Sequence, residues 1–159
     1  MLTPWVYDQV VRAIKQYNLQ SPVLDIGVGD CSNDIRNLFD SSGLRYWSLD
    51  KDPHPNVNFI ATVPRERLPM IKNLETAMIL SMLENTFVPN SVVRWAINKL
   101  SQGGRLLICV PVVKDAPGLW RFMPDGVQWL LRETKILEIT QENPTLTENG
   151  FIFAVAEKQ

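Results

Sequence analysis

Short apolar runs alternate with amphipathic segments along almost the whole chain, and this alternation limits the available folds more than any other feature. Pro4 to Tyr17 place Val6, Val10, Ile14 and Tyr17 on one helical face, with Thr3 as N-cap and Pro4 at the first helical position. Val23 to Ile26 reads as a short strand ending in Gly27-Val28-Gly29, and Ser32 to Asp40 as a helix with Ile35, Leu38 and Phe39 inward. Strands are predicted over 44–49, 57–61, 76–80 and 105–110, with a short helix over 65–72 and a helix over 89–100 stopped by Gly103 and Gly104. A helix over 125–132 and strands over 136–140 and 151–156 complete the chain, with 143–149 as a hairpin connection. Strands separated by helices imply crossover connections and a mainly parallel sheet, so the expected class is α/β. The terminal pair, with no helix between, implies one antiparallel strand at the end.

At 159 residues the chain is expected to form a single domain over 1–159. A chain of this length buries roughly 70% of its unfolded surface and needs no disulfides to hold a core. With 45% hydrophobic residues, disorder and fibrous architectures are excluded. A net charge of -1 supplies no cationic field for nucleic acid or an anionic membrane. Arg65, Arg67 and Lys72 form a local basic cluster that reads as a solvated face. The longest apolar stretch, Leu106 to Val113, is far short of a membrane span, and the N-terminus shows no signal-peptide pattern. Cys31 and Cys109 lack metal-ligand spacing and read as reduced thiols, the expectation being a cytoplasmic protein. The single histidine, His54, reads as a solvated loop residue. Trp5 and Tyr7 read as core ahead of a cofactor lid, and Trp129 reads as a packing residue.

Two positions carry chemistry. Gly27 and Gly29, just after the first strand, let the backbone turn sharply and approach a ligand, while the following helix start offers amide donors. Asp25 lies two residues before the first glycine; a carboxylate there repels a pyrophosphate and suits a ligand ammonium group. Asp50, at the end of the second predicted strand, is spaced from the glycines so that it can accept both hydroxyls of a ribose. Asp50 to Pro53 is also good turn chemistry, but the acid and the glycines together favour a nucleoside ligand. Both positions fall at carboxyl ends of adjacent strands, where open α/β sheets bind ligands.

These residues resemble the class I S-adenosylmethionine-dependent methyltransferases, in a small form with little beyond the core. Val23 to Cys31 resembles their glycine-rich first motif, and Tyr46 to Asp52 their acidic second motif. Leu80 to Asn85 resembles the Leu-Glu-His turn after the fourth strand, and Ala96 to Ile108 the glycine-pair entry to the fifth. Trp120 to Gly126 is similar to a further segment of some members. The resemblance implies a three-layer Rossmann-like sheet of about seven strands, mainly parallel with the last antiparallel. It implies methyl transfer from S-adenosylmethionine, with S-adenosylhomocysteine as product and no metal. The implied cofactor-binding residues are Asp25, Gly27, Gly29, Asp50, Lys51, Thr62 and Ser81.

The sequence departs from the family at the third glycine, which is Cys31, and at the turn histidine, which is Asn85. No acid directly follows the third strand in Ile60 to Val63, so adenine recognition falls to Thr62 or nearby backbone. Leu80 to Leu83 lacks the Asn/Asp-Pro-Pro-Tyr motif, which argues against base amino groups and glutamine side chains as acceptors. The long connection from Pro111 to Phe122 is a candidate wall of the acceptor site, with Trp120 and Arg121 as its substrate-binding residues. The acceptor is left open, and a homodimer is one option for assembly. Two other readings fit the residues: a non-catalytic cofactor- or partner-binding module, and a NAD-binding oxidoreductase. The second is disfavoured by Asp25 and by Ser32 at the third glycine position of the dinucleotide fingerprint.

Overall fold

The computed structural model describes residues 3–29, 32–112, 118–142 and 150–159, with the side chain of residue 32 left aside. Among these residues four α-helices and seven strands follow in the order α1 (Pro4–Gln16), β1 (Val23–Ile26), α2 (Ser32–Ser41), β2 (Tyr46–Asp50), β3 (Phe59–Ile60), β4 (Leu74–Leu80), α3 (Pro89–Lys99), β5 (Leu100–Val112), α4 (Pro124–Leu130), β6 (Thr134–Gln141) and β7 (Gly150–Lys158). They build one seven-stranded sheet in the order β3-β2-β1-β4-β5-β7-β6. Pairs from β3 to β5 are parallel, and β7 runs antiparallel to both β5 and β6. This is the expected α/β sheet with its last strand antiparallel.

The two-residue period of the strands sorts the core onto two faces. Ala77 and Ile79 of β4, Leu106, Ile108 and Val110 of β5, and Ile152 and Ala154 of β7 pack with α3 and α4. Met78 and Leu80, Leu107 and Cys109, and Phe153 and Val155 face the other way, against Val6, Val10 and Ala13 of α1 and Ile35 and Phe39 of α2. Trp5 and Tyr7 pack on this second cluster. Helix α1 begins as expected, with the Thr3 hydroxyl accepting the Val6 N–H and Pro4 in the first turn. It is tied across the sheet to β6, where Arg12 and Tyr17 both donate to the Glu138 carboxylate.

Three expectations are corrected. No helix forms over 65–72, where the chain makes turns. Pro69 bars the preceding residue from the α region, and Leu68 has φ +41°. The third strand is shorter than 57–61, because the Asn58 side chain accepts the Ser48 N–H and takes over part of the ladder. The glycine pair does not stop a helix. Helix α3 ends at Lys99 and runs directly into β5, and the register with β4 shifts between Leu74↔Leu100 and Thr76↔Arg105. Gly103, at φ +77°, lies in that irregularity. The hairpin expected over 143–149, and Cys31, lie outside the described residues.

Candidate functional site

The strand alternation decides where the two acids point. Asp25 shares a face of β1 with Val23, toward α2, opposite Ser48 of β2 and Met78 of β4. It is buried, and its Oδ2 accepts the Tyr46 hydroxyl at 2.8 Å. Burial pushes its carboxyl up to about 7; the Tyr46 bond and the Ile26 amide oppose this, and the nearby Asp50 charge adds to it.

Asp50 ends β2 and is also buried. Its Oδ2 accepts the Gly29 N–H at 2.8 Å and its Oδ1 accepts the Asp52 N–H at 3.0 Å. The carboxylate thus fastens the glycine turn after β1 to the end of β2. An ionised carboxyl offers about four acceptor positions, so lone pairs are left for a ligand. The Ala61 N–H donates to the Asp50 carbonyl at 2.8 Å and draws the chain after β3 to the same point.

The glycines are needed for two different reasons. At Gly27, with φ +76°, an added Cβ would lie 2.4 Å from Met82 Cγ, so the turn after β1 is packed directly against the turn after β4. At Gly29, with φ +49°, an added Cβ would meet nothing within 4 Å. Open space lies over this second glycine, as a closely approaching ligand requires. Ser81, at the end of β4, also has a left-handed backbone, φ +55°, and its N–H donates to the Cys109 carbonyl at 2.8 Å. A non-glycine residue held in this region stores local strain, a feature that gathers at functional sites.

These elements enclose a cavity of about 440 Å³ at the carboxyl ends of β1, β2 and β4. Gly27, Gly29, Asp50, Lys51, Thr62 and Ser81 all line it, together with Met82, Asn85, Phe87 and Val88. The volume is in the range of sites for drug-sized ligands. Asp25 does not line it and lies behind the turn, held by Tyr46. Lys51 lies at the rim with its Nζ 2.6 Å from Asp52 Oδ2. Thr62 donates its N–H to Glu66 Oε1 at 2.8 Å and accepts the Glu66 N–H at 3.0 Å. A carboxylate therefore does reach the segment after β3. It was missed because it comes four residues later and folds back.

Trp120 and Arg121 stand elsewhere. They line a second cavity of about 480 Å³ with Phe122, Trp129 and Leu130, which shares Phe87 and Val88 with the first. Their segment is fixed to the turn after β4: the Leu119 and Trp120 N–H groups donate to the Glu84 carbonyl at 2.7 and 3.2 Å, and Trp120 Nε1 donates to the Thr86 carbonyl at 2.7 Å. Trp129, expected as a packing residue, is 55% exposed, and Arg132 lies over its ring at 3.8 Å.

Sequence reasoning also missed a bracket beneath Asp50. Arg36 of α2 donates to Ser48 Oγ, the Asn56 carbonyl and Asn58 Oδ1, and lies over the Tyr46 ring. No local motif announces it, because its members come from three separate segments. Asp50, Asp52 and His54 bring three potential metal-ligand atoms within 4.8 Å of one another. The Asp50 oxygens already accept amide hydrogens, and Asp52 is paired with Lys51.

The residues present suit a nucleoside with a charged tail. Asp50 can take ribose hydroxyls, the open face of Gly29 admits close backbone approach, and the apolar wall of Leu49, Val63 and Val88 can cover a base. No protein-family model matches the chain, and no curated protein matches it. Solved structures do. The 1,6-didemethyltoxoflavin-N1-methyltransferase of Burkholderia thailandensis, with S-adenosylhomocysteine bound, superposes with a TM-score of 0.75 at 15% identity, over 96% of this chain and 78% of that one. The N-methyltransferase NodS of Bradyrhizobium japonicum, in complex with S-adenosyl-L-homocysteine, gives 0.70 at 13% identity, over 97% and 86%. The cyclase SpnF gives 0.75 at 15% identity, over 97% and 80%. The chain therefore has the Rossmann-like fold of S-adenosylmethionine-dependent methyltransferases, a fold that also carries other chemistry.

Proposed function

We propose that the chain is one methyltransferase domain that moves a methyl group from S-adenosylmethionine to an acceptor. The observation that carries this reading is the joint made by Asp50: one carboxylate that ends β2, fastens the Gly29 turn and borders a cavity over an unfilled glycine face. Asp50 accepts the ribose hydroxyls. Gly27 and Gly29 cradle the amino-acid part, with the Ser81 segment on its other side. Lys51 and the Thr62 segment border the base, and Glu66 orients that segment through its bond to the Thr62 amide. Asp25 acts from behind the turn as a negative field on the ligand ammonium. Trp120 and Arg121 belong to the acceptor side.

When bound, the sulfonium supplies an already activated methyl group. The protein's contribution is alignment and exclusion of water, which needs no metal and no nucleophilic triad. The strained Ser81 backbone and the packing of Met82 on Gly27 fix the floor on which that alignment depends.

Calorimetry tests the reading. S-adenosylhomocysteine is expected to bind in a saturable way, and NAD is not. Tighter binding of NAD would replace the methyltransferase reading with the oxidoreductase one. Binding of S-adenosylhomocysteine without turnover on any acceptor class would leave a non-catalytic module.

A further inference from the structure

The second cavity, of about 480 Å³, adjoins the donor site and shares Phe87 and Val88 with it. Its walls are aromatic. Phe87 follows β4, Trp120 follows β5 and Trp129 belongs to α4, and these rings are 79%, 44% and 55% exposed. Single exposed apolar side chains are ordinary, but three rings from separate segments gathered round one cavity mark a binding surface. Phe122 and Leu130, both buried, supply its apolar floor.

Two of the rings are held in place. Trp120 Nε1 donates to the Thr86 carbonyl at 2.7 Å, and the Trp120 backbone N–H donates to the Glu84 carbonyl at 3.2 Å. Arg132 lies over the Trp129 ring, and its Nη1 donates to Asn90 Oδ1 at 3.1 Å and to the Trp129 carbonyl at 2.8 Å. Half-exposed indoles fixed in this way lose their rotamer freedom on folding, so a ligand need not order them again. Gly126 of α4 adds open space. Glycine inside a helix is less favourable than alanine. The Gly126 backbone lies outside the left-handed region, and a Cβ added there would meet nothing within 4 Å. Neither the backbone nor a neighbouring group therefore requires glycine, and the room over it belongs to the cavity that it lines.

We infer that the second cavity holds the acceptor and that the acceptor is a small planar aromatic molecule, seated among Phe87, Trp120 and Trp129 with its reacting edge at the Phe87–Val88 border. This rests on the methyltransferase reading and supplies its missing substrate class. Both cavities share that border, so a ligand in one abuts a ligand in the other. The second volume suits a small ligand rather than a flat protein contact. Rings presented by three segments reward a flat π-system beyond the apolar area it buries, which a saturated ring of the same skeleton cannot match. Aromatic walls can also hold an ammonium group. Here the lining residues include no carboxylate to balance one, Arg121 is among them, and the Arg132 guanidinium already lies over Trp129.

Three probes test this by calorimetry at neutral pH, in free protein and in protein saturated with S-adenosylhomocysteine: 2-naphthol, its saturated analogue decahydro-2-naphthol, and the cation 2-naphthylmethylammonium. 2-Naphthol is expected to bind about tenfold or more tighter than either of the others. Gly126→Leu puts a side chain into the cavity and should weaken 2-naphthol about tenfold or more, while S-adenosylhomocysteine affinity stays within about twofold. That variant should melt at the same or a higher temperature, because leucine is the better helix former. Trp129→Ala, at a half-exposed ring, should weaken 2-naphthol likewise, and decides alone if Gly126→Leu does not fold. Nuclear Overhauser contacts between 2-naphthol and S-adenosylhomocysteine, both bound, are expected across the Phe87–Val88 border. Equal binding of 2-naphthol and its saturated analogue overturns the inference, as does a preference for the cation or 2-naphthol binding that survives both substitutions. Weakened S-adenosylhomocysteine binding in Gly126→Leu would assign the cavity to the donor, and the absence of contacts between the two ligands would make it a separate site; either overturns it. So does a dimeric wild type that Trp129→Ala turns into a monomer, since the face would then belong to a second copy. If S-adenosylhomocysteine fails to bind wild type, the methyltransferase reading falls instead, and the preference for 2-naphthol in free protein still decides whether the cavity is an aromatic-ligand site.

Discussion

Replacing Asp50 with alanine separates the structural and binding duties of this residue. The substitution removes the acceptors of two amide hydrogens, Gly29 N–H at 2.8 Å and Asp52 N–H at 3.0 Å. Hydrogen bonds to a charged partner contribute about 1.5–3 kcal/mol each. Water entering the vacated space recovers part of this, so the expected loss is about 2–4 kcal/mol. At this chain length that lowers the melting temperature by roughly 5–15 °C. A strand-terminal acid judged from sequence alone would be expected to leave stability untouched, so the size of this loss tests the joint itself. Affinity for S-adenosylhomocysteine should fall about tenfold or more, from the lost ribose contacts and the loosened Gly29 turn together. Asp50→Asn keeps the shape and one acceptor oxygen, and should fall between alanine and wild type in both respects. Urea unfolding and calorimetry on the three proteins give the numbers. A melting temperature unchanged in Asp50→Ala would show that the carboxylate does not hold the two turns together. An unchanged dissociation constant would place the ribose elsewhere.

Two further outcomes follow from buried or clamped acids. Asp25 has its folded-state pKa raised to about 7 from an ordinary value of 3.8, so its contribution favours the fold below about pH 4 and is lost as pH rises through 7. The full loss amounts to about 4 kcal/mol at most. Asp25→Asn, which can still accept the Tyr46 hydroxyl, should therefore show a flatter fall of melting temperature between pH 5 and 8, and parallel curves would refute this. Glu138 is shifted the other way: burial raises its pKa, but donation from Arg12, Thr140 and Tyr17 outweighs that and brings it down to about 2. Its contribution is present above the ordinary carboxyl range and is lost as pH falls through 2. After allowance for partial solvent exposure, Glu138→Gln should cost on the order of 2 kcal/mol at pH 7 and little near pH 2. A cost independent of pH would assign it to packing.

The sheet was legible in the sequence because its strands obey the two-residue period and its helices the 3.6-residue period. Met78 against Ile79, or Leu107 against Ile108, already divides the core into the two faces found in the structure. The glycine turn and Asp50 were legible because each belongs to a short contiguous stretch at a strand end. Local patterns failed where one residue overrode them, as Pro69 did for the segment over 65–72, or where strand pairing absorbed a glycine pair, as in β5.

What the sequence determined by itself is whatever local periodicity and turn chemistry dictate: the alternation of the main strands and helices, the antiparallel end, and the glycine turn and Asp50 at the carboxyl ends of β1 and β2. Tertiary structure alone decided which polar atoms find partners. Asp25 is turned behind the glycine loop to Tyr46, Asp50 is bound to Gly29, Glu66 folds back onto Thr62, and one Glu84 oxygen is buried without a partner among the described residues. The physical reason is that apolar burial is non-directional and follows the pattern of a single segment. A hydrogen bond requires two groups from different segments to meet at about 3 Å, and only the assembled sheet sets that distance.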